Sequence, residues 1–154
     1  RFLLVGTGAE RAALTERART QGVLNENLWI WDPVPKSEIA SVLAAATVAT
    51  SLFIPLEAMW DNSANKFFDA LAAGKPVAIN YEGWQADILR TSGAGVVLPA
   101  RDAAQAAKLL AGFLGDQQRL RQAADAARKL AYGPFRRDAV AAAFEDVLHR
   151  AVGS

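Results

Sequence analysis

The stretch DNSANKFFDALAAGKPV, Asp61 to Val77, places two acids, two amides and a lysine ahead of a helix stop that needs none of them. Ser63 reads as an N-cap, Gly74 as a C-terminal stop and Pro76 as the start of a strand, which predicts a helix over roughly Ala64 to Ala73. At ~100° per residue, Asn65, Lys66 and Asp69 share one arc, with only the small Ala73 beside them. Phe67, Phe68, Leu71 and Ala72 take the other side and would pack on a sheet. The junction therefore reads as a polar arc looking out from a packed helix at a strand end.

Outward from this helix, short apolar runs alternate with amphipathic stretches. RFLLV leads into GAERAALTERARTQG, NLWIW into SEIASVLAAA, and TVATSLFI into the opening stretch. PVAIN precedes WQADILRT, and AGVVLP precedes a run of helices. The apolar runs are nearly continuous, as in strands buried on both faces. Alternating strands and helices of this kind predict an α/β fold, a doubly wound parallel sheet covered by helices, with ligands bound at the carboxyl ends of its strands. The last third is a helical C-terminal tail. Ala103, Ala106, Ala107, Leu110, Phe113 and Leu114 form one stripe, and Val140, Phe144, Val147, Leu148 and Ala151 another, both read as packing faces. LGDQ (Leu114 to Gln117) and YGPF (Tyr132 to Phe135) are the turns between tail helices.

At 154 residues and 52% hydrophobic content the chain is long enough for one compact domain with a sizeable core. Lysine plus arginine (17) nearly cancels aspartate plus glutamate (16), so no strong field points toward nucleic acid, and a small or neutral partner fits better. The absence of cysteine removes disulfides, thiolate chemistry and cysteine-based zinc sites. No apolar run approaches the ~20 residues of a membrane span. The chain begins at Arg1 directly in a strand-like run, and it is expected to be a piece of something longer.

The polar residues around Asp61–Asp69 suggest an anion site. A helix N-terminus with free N–H groups, Ser63 and Lys66 suits a phosphate. Asp69, about one turn in, is placed to accept hydrogen bonds from sugar hydroxyls, and Asp61 would sit near whatever the phosphate carries. Each residue also has a plainer reading: Lys66 and Asp69 as a solvated i, i+3 ion pair, Ser63 and Asn65 as capping groups only.

The run NSANKFFDALAAGKPVAINYEGWQADILRTSGAGVVL, with LLVGTGAERAAL near the start and NLWIWDPVPKSEIASVLAAATV between, resembles the donor-binding half of GT-B glycosyltransferases of the large retaining family 4. The likeness is strongest to bacterial sugar transferases of capsule, O-antigen and lipopolysaccharide assembly. Members carry two glutamates separated by seven residues, the second leading an EAMAxGxP run; the matching positions here are Asp61 and Asp69, followed by ALAAGKP, each one methylene shorter. The resemblance implies a Rossmann-like donor domain over residues 1–154, lacking the N-terminal acceptor domain and the first strand with its phosphate-clamping arginine and lysine.

The resemblance also implies roles. Asp69 would bond the ribose, Ser63, Asn65 and Lys66 would approach the diphosphate, and Asp61 and Asn62 would face the donor sugar, with Asp61 and Lys66 as the catalytic pair. Trp31, Asp32, Pro33 and Val34 would form the nucleobase pocket, although Trp31 reads equally as a buried core aromatic. Trp84 would line the sugar pocket or anchor the helix it begins, with Glu82 and Gln85 as lesser candidates. The implied donor is a UDP-sugar of hexosamine type, used without metal or other cofactor and transferred with retention to a saccharide or lipid-linked acceptor. The implied location is cytoplasmic, with the longer enzyme peripheral at the inner membrane. Arg136 and Arg137 are a weak surface signal for that, and His149 reads as a helix-end surface residue.

Two other readings compete. VGTGAER offers G-x-G after a strand, with Asp32 closing the next strand, as in an NAD-dependent dehydrogenase, but Arg11 occupies the third glycine position. A nucleotide-sugar-binding module without transfer activity is the non-enzymatic alternative.

Overall fold

A computed structural model describes residues 1–152. In chain order the elements are β1 (Phe2–Val5), α1 (Arg11–Thr20), β2 (Leu28–Trp31), α2 (Lys36–Ala45), β3 (Ala49–Ser51), a 3₁₀ turn (Glu57–Met59), α3 (Asn65–Ala72), β4 (Val77–Ile79), α4 (Trp84–Ser92), β5 (Gly95–Val97), α5 (Ala103–Gly115), α6 (Gln117–Tyr132) and α7 (Arg137–Val152). Every strand pair is parallel and each neighbouring pair is joined through a helix, the α/β alternation expected from the apolar runs. The chain divides into two compact units, Arg1–Ser41 and Val42–Ser154.

In the first unit β1 and β2 pair in register from Phe2 opposite Leu28 to Val5 opposite Trp31. Burial on both faces, expected from the apolar runs, does not occur here: Phe2, Leu3 and Leu4 are 51, 41 and 40% exposed. Helix α1 explains part of this, since its apolar residues are mostly alanines, it buries only Ala18, and its one leucine, Leu14, is exposed.

The second unit holds a three-stranded sheet in the order β3-β4-β5. Its central strand is fully buried and splits its side chains between two layers. Val77 and Ile79 pack with Phe67 and Leu71 of α3 and Ala86 and Leu89 of α4. Ala78 packs on the opposite side with Phe113 of α5 and Leu120 and Ala123 of α6. The crossovers β3-α3-β4 and β4-α4-β5 step the same way through the sheet and put both helices on one face, as a single crossover hand requires.

Helix α3 departs from its sequence reading at the start and agrees at the end. It begins at Asn65, the N-cap position is the extended Ala64, and no side chain caps it, so Ser63 is not the cap. At the stop, Gly74 has φ +66°, its N–H reaches the carbonyl of Leu71, and the N–H of Lys75 reaches that of Ala70. That paired closure needs a left-handed residue, which is why glycine stands there. Phe67, Ala70 and Leu71 form the buried face, while Ala72, expected to pack, is exposed.

The tail is helical as expected, with one correction. Phe113 is buried and Ala106 and Leu110 pack beneath it, whereas Ala103 and Ala107 stay exposed. Asp116 caps α6 by accepting the N–H of Arg119 at 2.9 Å. Helix α7 buries none of its residues, so the stripe of Val140, Phe144, Val147, Leu148 and Ala151 is an exposed face rather than a packed one. Among the described residues no helix is long and apolar enough to cross a membrane.

Candidate functional site

The carboxyl end of the second unit's sheet is built from the segment joining β3 to α3 and the turn joining β4 to α4. On the first segment Asp61, Ser63, Asn65, Lys66 and Asp69 are exposed and Asn62 is half-buried. Among the described residues none of these six side chains makes a hydrogen bond or ion pair, so the Lys66–Asp69 pair weighed from the sequence does not form. Ion pairs do form at other places on the surface, as in Arg11–Asp32, Arg90–Glu82 and Arg136–Asp138. The one contact of Lys66 is with an aromatic face: its Nζ lies 5.6 Å from the centroid of Phe53. The start of α3 thus presents uncapped backbone N–H groups, one free ammonium and two free carboxylates, a set suited to a phosphorylated, hydroxyl-bearing ligand.

The second segment buttresses the first. Gly83 has φ +92°, and a Cβ there would meet the carbonyl oxygen of Trp60 at 2.5 Å, so the turn into α4 lies directly against the backbone that precedes Asp61. Trp84 packs edge-on to Phe67 at 6.2 Å and lies 6.0 Å from Phe68 and 6.5 Å from Phe135, contacts of an anchoring kind, while its side chain stays half-buried. Glu82 is held by a two-point hydrogen bond from Arg90, at 2.6 and 2.8 Å, and that bond keeps its carboxyl below the ordinary value.

Beneath this surface lies a polar group that the sequence reading did not assemble. Tyr81 Oη is 2.5 Å from Oε1 of Gln85 and 3.2 Å from Oγ of Ser51. The Asn80 side chain donates to the carbonyl of Phe53 and accepts from its N–H, both at 2.8 Å. Burial pushes the Tyr81 phenol up from its ordinary value, against the hydrogen bond to Ser51, so it remains protonated at neutral pH. Tyr81 and Gln85 are four residues apart, but Ser51 precedes Tyr81 by 30 positions and Phe53 precedes Asn80 by 27, and the β3–β4 pairing brings those together.

The other predicted cluster belongs to the first unit. Trp31 is 51% exposed, so its reading as a core aromatic is not realised; Asp32 and Pro33 are exposed and Val34 is half-buried. Asp32 accepts a 2.6 Å hydrogen bond from Arg11, which also donates to the carbonyl of Gly6. The carboxylate that a dinucleotide fold would offer to ribose is therefore engaged by the arginine standing in the third glycine position. The cleft at Gly6, Thr7, Gly8 and Arg11 holds about 200 Å³, below the range usual for ligand sites. A larger cleft of about 750 Å³ runs along β5 between Leu89–Gly93 and Asp116–Gln122, and none of the predicted site residues lines it.

A family profile described as glycosyl transferases group 1 matches residues 1–116. The chain belongs to that family. Its fold is that of GT-B glycosyltransferases of known structure. Sucrose-phosphate synthase from Thermosynechococcus elongatus superposes with a TM-score of 0.79 at 19% identity, over 98% of this chain and 38% of that one. Anabaena HepE, solved in complex with UDP, gives 0.79 at 16% identity, over 96% and 40% of the two chains. WaaG, a glycosyltransferase involved in lipopolysaccharide biosynthesis, gives 0.67 at 20% identity, over 85% and 33%. The chain thus spans 33 to 40% of the length of these structures. No curated protein sequence matches it significantly.

Proposed function

We propose that the chain is the donor-binding half of a glycosyltransferase that takes a UDP-sugar, of hexosamine type, and passes the sugar with retention to a saccharide or lipid-linked acceptor. In this reading the uncapped start of α3, with Ser63, Asn65 and Lys66, receives the diphosphate. Asp69 bonds the ribose hydroxyls, and Asp61 and Asn62 face the sugar. Lys66 and the helix N-terminus stabilise charge on the leaving diphosphate, so neither a protein nucleophile nor a bound metal is invoked. Acceptor binding falls to another part of a longer enzyme, cytoplasmic and peripheral at the inner membrane, and this chain alone binds donor without transferring it.

The observation that carries the reading is the run of six polar side chains from Asp61 to Asp69, unpaired among the described residues and gathered around the uncapped start of α3. The UDP bound to HepE supports the choice of nucleotide, and the role of WaaG supports a surface-polysaccharide setting. Calorimetric titration with UDP, GDP and NAD is the test. UDP should bind and raise the thermal midpoint. Asp69→Ala, at an exposed position, should weaken UDP about tenfold while leaving the unliganded midpoint in place. Unchanged UDP affinity in Asp69→Ala would remove the ribose role, and preferential NAD binding would restore the dehydrogenase.

A further inference from the structure

Ser51 and Gln85 are the fully buried polar side chains of the second unit, and Tyr81 between them is only 4% exposed. Gln85 uses its oxygen to hold the Tyr81 hydroxyl, but its Nε2 is buried with no partner. A core network with one amide end unpaired is less favourable than an apolar core of the same shape. Stability therefore gives no reason for it, and what it places does. The ring of Tyr81 lies 4.9 Å from that of Phe53, whose backbone N–H and carbonyl are both gripped by Asn80. Phe53 in turn carries the ammonium of Lys66 over its face. A continuous chain of contacts thus runs from the buried amide to the free cation at the start of α3.

We propose that the Ser51–Tyr81–Gln85 network is a positioning device for Lys66, acting through the clamped ring of Phe53 to aim the ammonium at the diphosphate of a bound nucleotide. The proposal rests on the donor-site reading above. Tyr81, Ser51 and Gln85 touch no ligand; they fix the platform on which the phosphate-binding cation stands. A device of this kind affects the charged part of the ligand and spares the nucleoside.

The full 154-residue chain is titrated with UDP and with uridine, as wild type, Tyr81→Phe, Lys66→Ala and the double variant, with thermal midpoints recorded for each. Wild type should prefer UDP, and Lys66→Ala should cut that preference about tenfold. Tyr81→Phe should weaken UDP about threefold, leave uridine unchanged and, because it strands the buried Gln85 amide, lower the midpoint, and it should add nothing to the UDP loss in the Lys66→Ala background. Gln85→Met repeats the test with a volume-matched apolar side chain that leaves Tyr81 bonded to Ser51; it should give the same selective loss of UDP while keeping or raising the midpoint. Equal losses for UDP and uridine, additive effects of Tyr81→Phe and Lys66→Ala, or a lowered midpoint with an intact UDP preference each overturn the proposal. A wild-type chain indifferent between UDP and uridine overturns the donor-site reading itself, and that outcome is visible before any variant is made.

Discussion

Phe2-Leu3-Leu4-Val5 and Val77-Ala78-Ile79 are both unbroken apolar runs, yet their environments are opposite. The residues of β4 are fully buried, while those of β1 are exposed or half-buried. Both strands pair in parallel ladders, β4 along two edges and β1 along one, so hydrogen bonding alone does not account for the contrast. The difference is in the layers available. Strand β4 has a neighbour on each edge, α3 and α4 on one face and α5 and α6 on the other. Strand β1 pairs on one edge with β2 alone, and α1 brings alanines rather than large side chains. An apolar run states what a strand requires for cover; whether the cover exists depends on the elements around it.

Substitutions at equivalent strand positions turn this contrast into numbers. Ile79→Ala in β4 should cost about 2–5 kcal/mol, while Leu3→Ala in β1, already 41% exposed, should cost less than about 1 kcal/mol. Urea unfolding followed by circular dichroism measures both, and equal costs would erase the distinction between the two strands. A smaller effect separates two helix starts within the second unit. Asp116→Ala removes a cap that accepts the N–H of Arg119 and should cost about 1 kcal/mol, whereas Ser63→Ala, which caps nothing, should leave the midpoint of unfolding nearly unchanged. A comparable loss in Ser63→Ala would restore Ser63 as the cap. The smallest effect is on pH. The hydrogen bond from Arg90 lowers the pKa of Glu82 in the folded state, so its contribution is present above the ordinary value of 4.5 and is lost as pH falls through the folded value. Both side chains are about half exposed, so the effect is small and screened by salt. Acid titrations of wild type and Glu82→Gln should run together below that window and separate above it; curves that stay superposed throughout would remove the linkage.

Much of the second unit was legible because its signals are local. The turn at Gly74 follows from backbone sterics, and the arc of Asn65, Lys66 and Asp69 follows from helical periodicity opposite Phe67 and Leu71. Ser63 was misread as a cap because capping depends on where helical dihedrals begin, and the chain is still extended at Ala64. Trp84 reads evenly between pocket and anchor from the sequence; its ring contacts with Phe68 and Phe135 come from distant segments and could not be read locally. The period of the α7 stripe predicts a packing face, yet its residues are exposed, since a helical period shows that a face is apolar and not that it is covered.

The amino-acid sequence by itself determined the α/β alternation, the helix stop before β4 and the polar character of the face from Asp61 to Asp69, because each depends on residues within a turn or two of one another. Only the tertiary structure decided which apolar strands are covered, that the six polar side chains of that face are left unpaired, and that Ser51, Tyr81 and Gln85 meet beneath it. Those facts depend on partners brought together across the sheet, and the energy of a buried or unpaired group is set by its neighbours in space rather than by its neighbours along the chain.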